Sequence, residues 1–120
     1  MNNIDIQLQR FGKNHIPFIQ RIASNSLNTR MTNTPDPYPE NGAEQYCAIC
    51  EKNWKEGIAR EYVILLENEV IGSCSIVHLK DDEKLIGYMI DKEQWNRGIG
   101  KIVVSMLVDI LLTAFTSDYL

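Results

Sequence analysis

The residues best placed to do chemistry in this chain are Arg97, Gly98, Ile99, Gly100 and Lys101. They lie between a strand-like stretch and a long apolar one. In a strand, turn, helix order, the first amides of the helix have no partner within it. Those N–H groups carry partial positive charge and favour an anion. Two glycines let the backbone approach that anion without a Cβ in the way. Arg97 and Lys101 add positive charge beside it. The chemistry this pattern suits is a phosphate or diphosphate cradle. A plain turn with no ligand satisfies the same two glycines. The nucleoside-triphosphate loop requires Gly-x-x-x-x-Gly-Lys-Ser/Thr, and the spacing here differs. The dinucleotide fingerprint requires a third glycine where Val103 stands.

Cys47 and Cys50 form Cys-Ala-Ile-Cys, a spacing used by metal and redox sites. A structural zinc site needs four ligands, usually two such pairs, and the sequence has no second pair. Positions three apart share a helix face, so the pair reads as packing, and no metal is expected.

The surrounding elements follow from periodicity. Residues 3–9 alternate apolar and polar, a strand pattern. Asn14 is in place to cap a helix to about Asn25, with Ile16, Ile19, Ile22 and Ala23 on one face. Residues 26–41 hold three prolines and many turn formers, a loop. A second helix is predicted from Gly42 to Glu56, ended by Gly57. Residues 60–66, 70–79 and 84–91 read as three strands joined by short turns. In the final helix Lys101, Ser105, Asp109 and Thr113 recur every four residues along one narrow stripe. Every other position from Ile102 to Phe115 is apolar, so this helix is expected to be buried on most of its circumference.

With 120 residues the chain has room for one small domain. A formal charge of −4 does not ask for nucleic acid, which usually calls for a basic patch. No segment has the length of apolar sequence that a membrane span needs, and the N-terminus carries no secretory pattern. Three cysteines fit a reducing compartment better than a disulfide scaffold. The expectation is a cytoplasmic protein with neither membrane nor nucleic-acid partner.

The stretch from Ile86 to Asp109, with Ile86-Gly87-Tyr88 followed by Trp95-Asn96-Arg97-Gly98-Ile99-Gly100, resembles the acetyl-CoA-binding segment of the GNAT acetyltransferases. It is most similar to the branch that includes the ribosomal-protein N-terminal-alanine acetyltransferases. The proline-tyrosine loop before Gly42 resembles the same branch. The resemblance implies an α/β (α+β) fold, with a mostly antiparallel, mixed sheet of four strands flanked by helices, the C-terminal strands of the family missing, and one truncated domain over residues 1–120. It implies that the backbone of Tyr88, Met89 and Ile90 holds the pantetheine arm of acetyl-CoA, and that the amides of Arg97, Gly98, Ile99, Gly100 and Lys101 hold its diphosphate. The implied reaction is direct attack of a primary amine on the thioester, on a small molecule or a protein N-terminus. A general base helps remove the amine proton. The branch often has Glu before its Ile-Gly-Tyr, where this chain has Leu85. Glu83, two residues earlier and on the same face of a regular strand, is the candidate, with Asp91, Tyr88 and His78 behind it. Without the remaining strands, the last helix and the fourth strand would expose apolar surface and a free edge, which drive association. A homodimer or other self-association is therefore expected. The alternatives are a truncated GNAT-like protein that binds CoA or only folds, without turnover, and a module of another class using the turn for a different phosphate ligand.

Overall fold

Side-chain alternation along four strands divides this molecule into two cores, one on each face of a single sheet. The computed structural model describes residues 4–30, 32 and 34–119, with side chains as far as Thr113. Strands β1 (Ile6–Arg10), β2 (Ala59–Leu66), β3 (Glu69–His78) and β4 (Lys84–Ile90) lie in sequence order. All three pairings are antiparallel, so the four described strands form a purely antiparallel sheet rather than a mixed one. The β2–β3 hairpin turns at Glu67 and Asn68, both at positive φ (50° and 71°). Two such residues suit the tight hairpin turn whose twist matches that of the strands.

The first core lies between the sheet and two helices, α1 (Ile16–Ala23) and α3 (Gly42–Lys55), and contains Phe11, Ile19, Ile22, Cys47, Val63 and Met89. The second lies under α4 (Ile99–Tyr119), where Ile99, Val103 and Leu107 pack on Ile64, Ile71 and Ile76. Ile99, Val103 and Leu107 are spaced by four and form the buried stripe of α4. The opposite side is not covered: Val104 and Val108 are each 39% exposed. The sheet thus buries only one stripe of an almost entirely apolar helix, less than the sequence pattern calls for.

The N-terminal helix differs from expectation in two ways. Asn14 does not cap it. It sits inside a single helical turn, Lys13–His15, and α1 starts after His15 with Pro17 in its first turn. The helix also stops at Ala23, and a short α2 (Ser26–Thr29) begins within the stretch read as loop. The cause is Asn25, which leaves the helical region (φ −89°, ψ 113°) and accepts the Leu27 N–H on its side chain, the usual action of an Asn cap. This corner carries α2 towards β4.

A bulge between Ile64 and Leu65 in the β2–β3 register leaves Ile71 as an extra residue of β3. A Cβ on the adjacent Gly72 would lie 2.0 Å from the Met89 carbonyl oxygen, so only glycine lets β3 and β4 approach here. No helix among the described residues is long and apolar enough to cross a membrane.

Candidate active site

The turn from β4 into α4 is bonded at both ends and open in the middle. The Asp91 N–H donates to Ile71 O (2.8 Å), and the Trp95 indole N–H donates to Ile90 O (2.8 Å). Asn96 (φ 66°) and Gly98 (φ 75°) then take left-handed conformations. From Asn96 to Lys101 no backbone N–H finds an acceptor among the described residues, and bonding resumes with Ile102 N–H to Gly98 O (3.3 Å). Successive amides in such a turn form a concave donor surface suited to an anion, at the positive end of α4.

The two glycines act for different reasons. Nothing lies within 4 Å of a Cβ built on Gly98, so that site needs glycine for its positive φ rather than for space. A Cβ on Gly100 would lie 2.8 Å from the Tyr88 hydroxyl. Ile99 is buried under the sheet and anchors the turn, while Arg97 and Lys101 are exposed beside it. The Arg97 guanidinium donates to the Gln94 side chain.

β4 is an edge strand, with β3 on one side only. Antiparallel pairs alternate between hydrogen-bonded and non-bonded positions. Asp91 N–H to Ile71 O and Leu79 N–H to Glu83 O fix that alternation. Met89, opposite Ser73, therefore turns its backbone groups inward, whereas Tyr88 and Ile90 turn theirs to the open edge. Trp95 already occupies the Ile90 carbonyl, which leaves the Ile90 N–H and both polar groups of Tyr88.

The facing wall comes from α2, held by Asn28, a residue that sequence reasoning missed. Asn28 is 6% exposed. Its side-chain amide donates to Ile22 O (2.9 Å) and Asp91 Oδ1 (3.1 Å), and its oxygen accepts the Lys92 N–H (2.7 Å). Arg21 adds an ion pair to Asp91 at 3.6 Å. One buried side chain thus ties α1, α2 and the β4–α4 turn together. Between α2 and the turn lies a cavity of about 350 Å³, lined by Leu27, Arg30, Tyr88, Trp95 and Gly98 among others. Arg30, also absent from the sequence reading, is among the residues that line this cavity.

A second cavity, of about 730 Å³, lies between the sheet and α1 and α3. Thr32, Tyr88 and Met89 line both cavities, so the two meet at β4. Gln20 holds the roof: its amide nitrogen donates to Pro39 O (2.7 Å) and its oxygen accepts the Ala43 N–H (2.8 Å). The Tyr38 ring covers Gly42, where a Cβ would fall 2.6 Å from it. Inside stands Glu61, only 7% exposed. Burial pushes its carboxyl up to about 8, although the side chains of Tyr46 and Ser73 hydrogen-bond it and pull the other way. Burial likewise raises Tyr46 above its ordinary value, and raises Cys50 to about 12. Cys47 and Cys50 are free thiols inside the first core, both shifted away from the thiolate form. The sequence carried one signal for Glu61: it is in phase with Val63 and Leu65, a carboxylate on the apolar side of its strand.

Glu83 is not brought to either cavity. It is exposed where the β3–β4 turn re-enters β4, its N–H donating to Lys80 O (3.2 Å) and its carbonyl accepting from Leu79. Five residues separate it from Tyr88, roughly 17 Å along an extended strand. His78, also near this turn, has its pKa lowered, by burial first and then by Lys84 and Arg60. Asp91 is committed to Asn28 and Arg21.

Residues 5–120 match the family described as Acetyltransferase (GNAT) domain. No curated protein sequence matches the chain. Among solved structures, RimJ of Mycobacterium smegmatis in complex with CoA-disulfide is similar with a TM-score of 0.79 at 18% identity, over 92% of this chain and 58% of that one. Spermidine N-acetyltransferase of Vibrio cholerae, in complex with CoA and spermine, has a TM-score of 0.75 at 15% identity, over 92% and 66%. RimL, a ribosomal alpha-N-protein acetyltransferase in complex with coenzyme A, has 0.64 at 19%, over 78% and 56%. At these identities the likeness is one of fold. The chain spans 56% of the RimL chain and 58% of the RimJ chain.

Proposed function

The chain belongs to the GNAT acetyltransferase family, and on that premise we propose that it binds acetyl-CoA in the cleft beside the glycine turn and acetylates a primary amine entering through the larger cavity. The observation that carries this reading is the run of unengaged amides from Asn96 to Lys101, set beside an open strand edge. The residues fit the co-substrate. The turn amides and Arg97, Lys101 and Arg30 suit its diphosphate. Tyr88 and Ile90 offer edge groups to the amides of a pantetheine arm, as a further strand would. Met89 contributes a wall, since its backbone is committed to β3.

Acetyl-CoA supplies a thioester carbonyl that a neutral amine attacks, with a C–N bond forming as the C–S bond breaks. A primary amine is mostly protonated near neutral pH, so the chain must help it lose a proton. Glu83 is too far from the junction of the cavities to act directly. The carboxyl lining the larger cavity is Glu61, two inter-strand steps or about 10 Å from β4, too far to take that proton directly. Placement in the cytoplasm rests on the free cysteines. Self-association rests on the exposed Val104 and Val108 face of α4. Sedimentation showing only monomer at micromolar concentration would remove that part of the proposal.

Thermal stability in the presence of CoA, acetyl-CoA and ATP tests the cofactor reading. A ligand held only by the folded state at a hundred times its Kd adds about 2.7 kcal/mol. Stabilisation by the CoA pair and not by ATP is expected. Equal effects of all three would reduce the site to a general anion site. Thiol release with a panel of amines then separates turnover from binding alone.

A further inference from the structure

Glu61 stands on the same sheet face as Ser75 and Gly87, its neighbours across β3 and β4 in the strand register. The floor between the carboxyl and β4 is therefore made of one hydroxymethyl group and one bare backbone. A Cβ at Gly87 would sit 3.7 Å from the Ser75 hydroxyl, with no other heavy atom within 4 Å. This open row leads from the carboxyl to the strand where the two cavities meet. Two inter-strand steps cover about 10 Å, the span of a short aliphatic chain. Tyr38, Tyr46 and Ile49 wall the cavity above it and suit methylene groups.

The carboxyl has no cation of its own. Among the described residues the one ion pair is Arg21–Asp91. Facing Glu61 are Tyr46 and Cys50 from α3 and Ser73 from β3, all uncharged near neutral pH. Just after β1, the Phe11 N–H donates to the Glu61 backbone carbonyl at 3.0 Å. Buried charges in proteins are normally paired, and this one faces a cavity large enough for a small ligand.

The geometry points to Glu61 as a cationic subsite: the acceptor is an aliphatic amine with a second ammonium group, which Glu61 binds while the reacting nitrogen lies at β4. This rests on the acetyl-transfer reading and names the acceptor class for it. A second ammonium seated at Glu61 favours the ionised carboxylate. Affinity therefore rises as pH passes upward through about 8, where Glu61 ionises unaided.

Calorimetric titration of pentane-1,5-diamine and of its neutral counterpart pentane-1,5-diol tests the subsite without turnover. At alkaline pH the diamine is expected to bind at least about tenfold more tightly than the diol, and Glu61→Gln to bring it down to the diol's level. Equal binding of the two probes, or a diamine preference that survives Glu61→Gln, overturns the proposal. Gly87→Leu keeps the carboxyl and blocks the row, so it guards against misfolding of the first variant. It is expected to abolish diamine binding, and unchanged affinity would count against the row as the path. Coenzyme A titrated into the same samples reports the cofactor reading separately. Loss of CoA binding with the diamine preference intact breaks that reading alone, whereas the reverse breaks the subsite alone.

Discussion

The two cavities that meet at β4 are built from opposite materials. The proposed cofactor cleft consists mainly of backbone: amides from Asn96 to Lys101, the outer edge of β4, and two glycines that keep side chains away. Its side-chain support is one buried amide, Asn28, with all its bonds satisfied. The larger cavity, proposed for the acceptor, consists of side chains from separate elements, around one carboxyl that burial holds near its neutral form. Backbone donors carry no net charge, keep their direction and accept whatever anion fits. A buried carboxyl changes charge with pH and with its ligand. The first region is suited to a constant co-substrate and the second to discrimination.

The sharpest way to break this contrast is at Gly100. Gly100→Val drives a branched side chain into the Tyr88 ring, where even a Cβ comes within 2.8 Å of the hydroxyl. CoA affinity should fall roughly a hundredfold, about 2.7 kcal/mol, with diamine binding largely kept. Calorimetry on both ligands checks it, and equal losses would mean the two regions are one.

Glu61→Gln should act in the reverse sense, sparing CoA and altering the response to pH. The folded-state pKa of about 8 lies above the ordinary 4.5, so the fold holds a proton that the unfolded chain releases. The stability this contributes is full below about 4.5 and is lost as pH rises to about 8. Gln cannot ionise. The variant should therefore gain on the parent across that window, by several kcal/mol at its alkaline end. Urea denaturation at pH 5 and pH 8.5 measures the difference, and parallel curves would show that Glu61 is not buried as described.

Asn28→Ala strands the Lys92 N–H and leaves the Ile22 carbonyl with backbone donors only. One unsatisfied buried group costs about 1–3 kcal/mol. The cost should appear in stability and as a loss of CoA affinity, because α2 is no longer tied to the turn. Unchanged CoA affinity in the folded variant would make the clamp purely structural. The smallest effect is expected at Glu83. Glu83→Gln at this exposed turn should change stability by less than about 0.5 kcal/mol and leave the binding of both ligands unaltered. A large effect there would restore the sequence-based reading of that residue.

Much of the glycine turn's geometry was legible in the sequence because it is local. Gly98 and Gly100, the basic neighbours and the apolar run after them occupy consecutive positions, and a backbone site leaves its trace as a motif. Periodicity likewise placed β2, β3, β4 and α3 to within a residue or two at most ends. It missed the break between α1 and α2, since Asn25 acts through its own cap geometry, and nothing in the apolar spacing announces it.

The larger cavity left no such motif. Glu61, Ser75 and Gly87 lie on three strands and become neighbours only through antiparallel register. Asn28 and Asp91 are 63 residues apart and meet through one hydrogen bond. The sequence by itself determined which segments are strands and helices, and that one turn would present free amides, because those properties depend on residues close along the chain. Only the tertiary structure decided which carboxyl faces a cavity and which stays at a hairpin turn. That choice depends on which strands pair, in what register and under which helix, and burial then sets the charge.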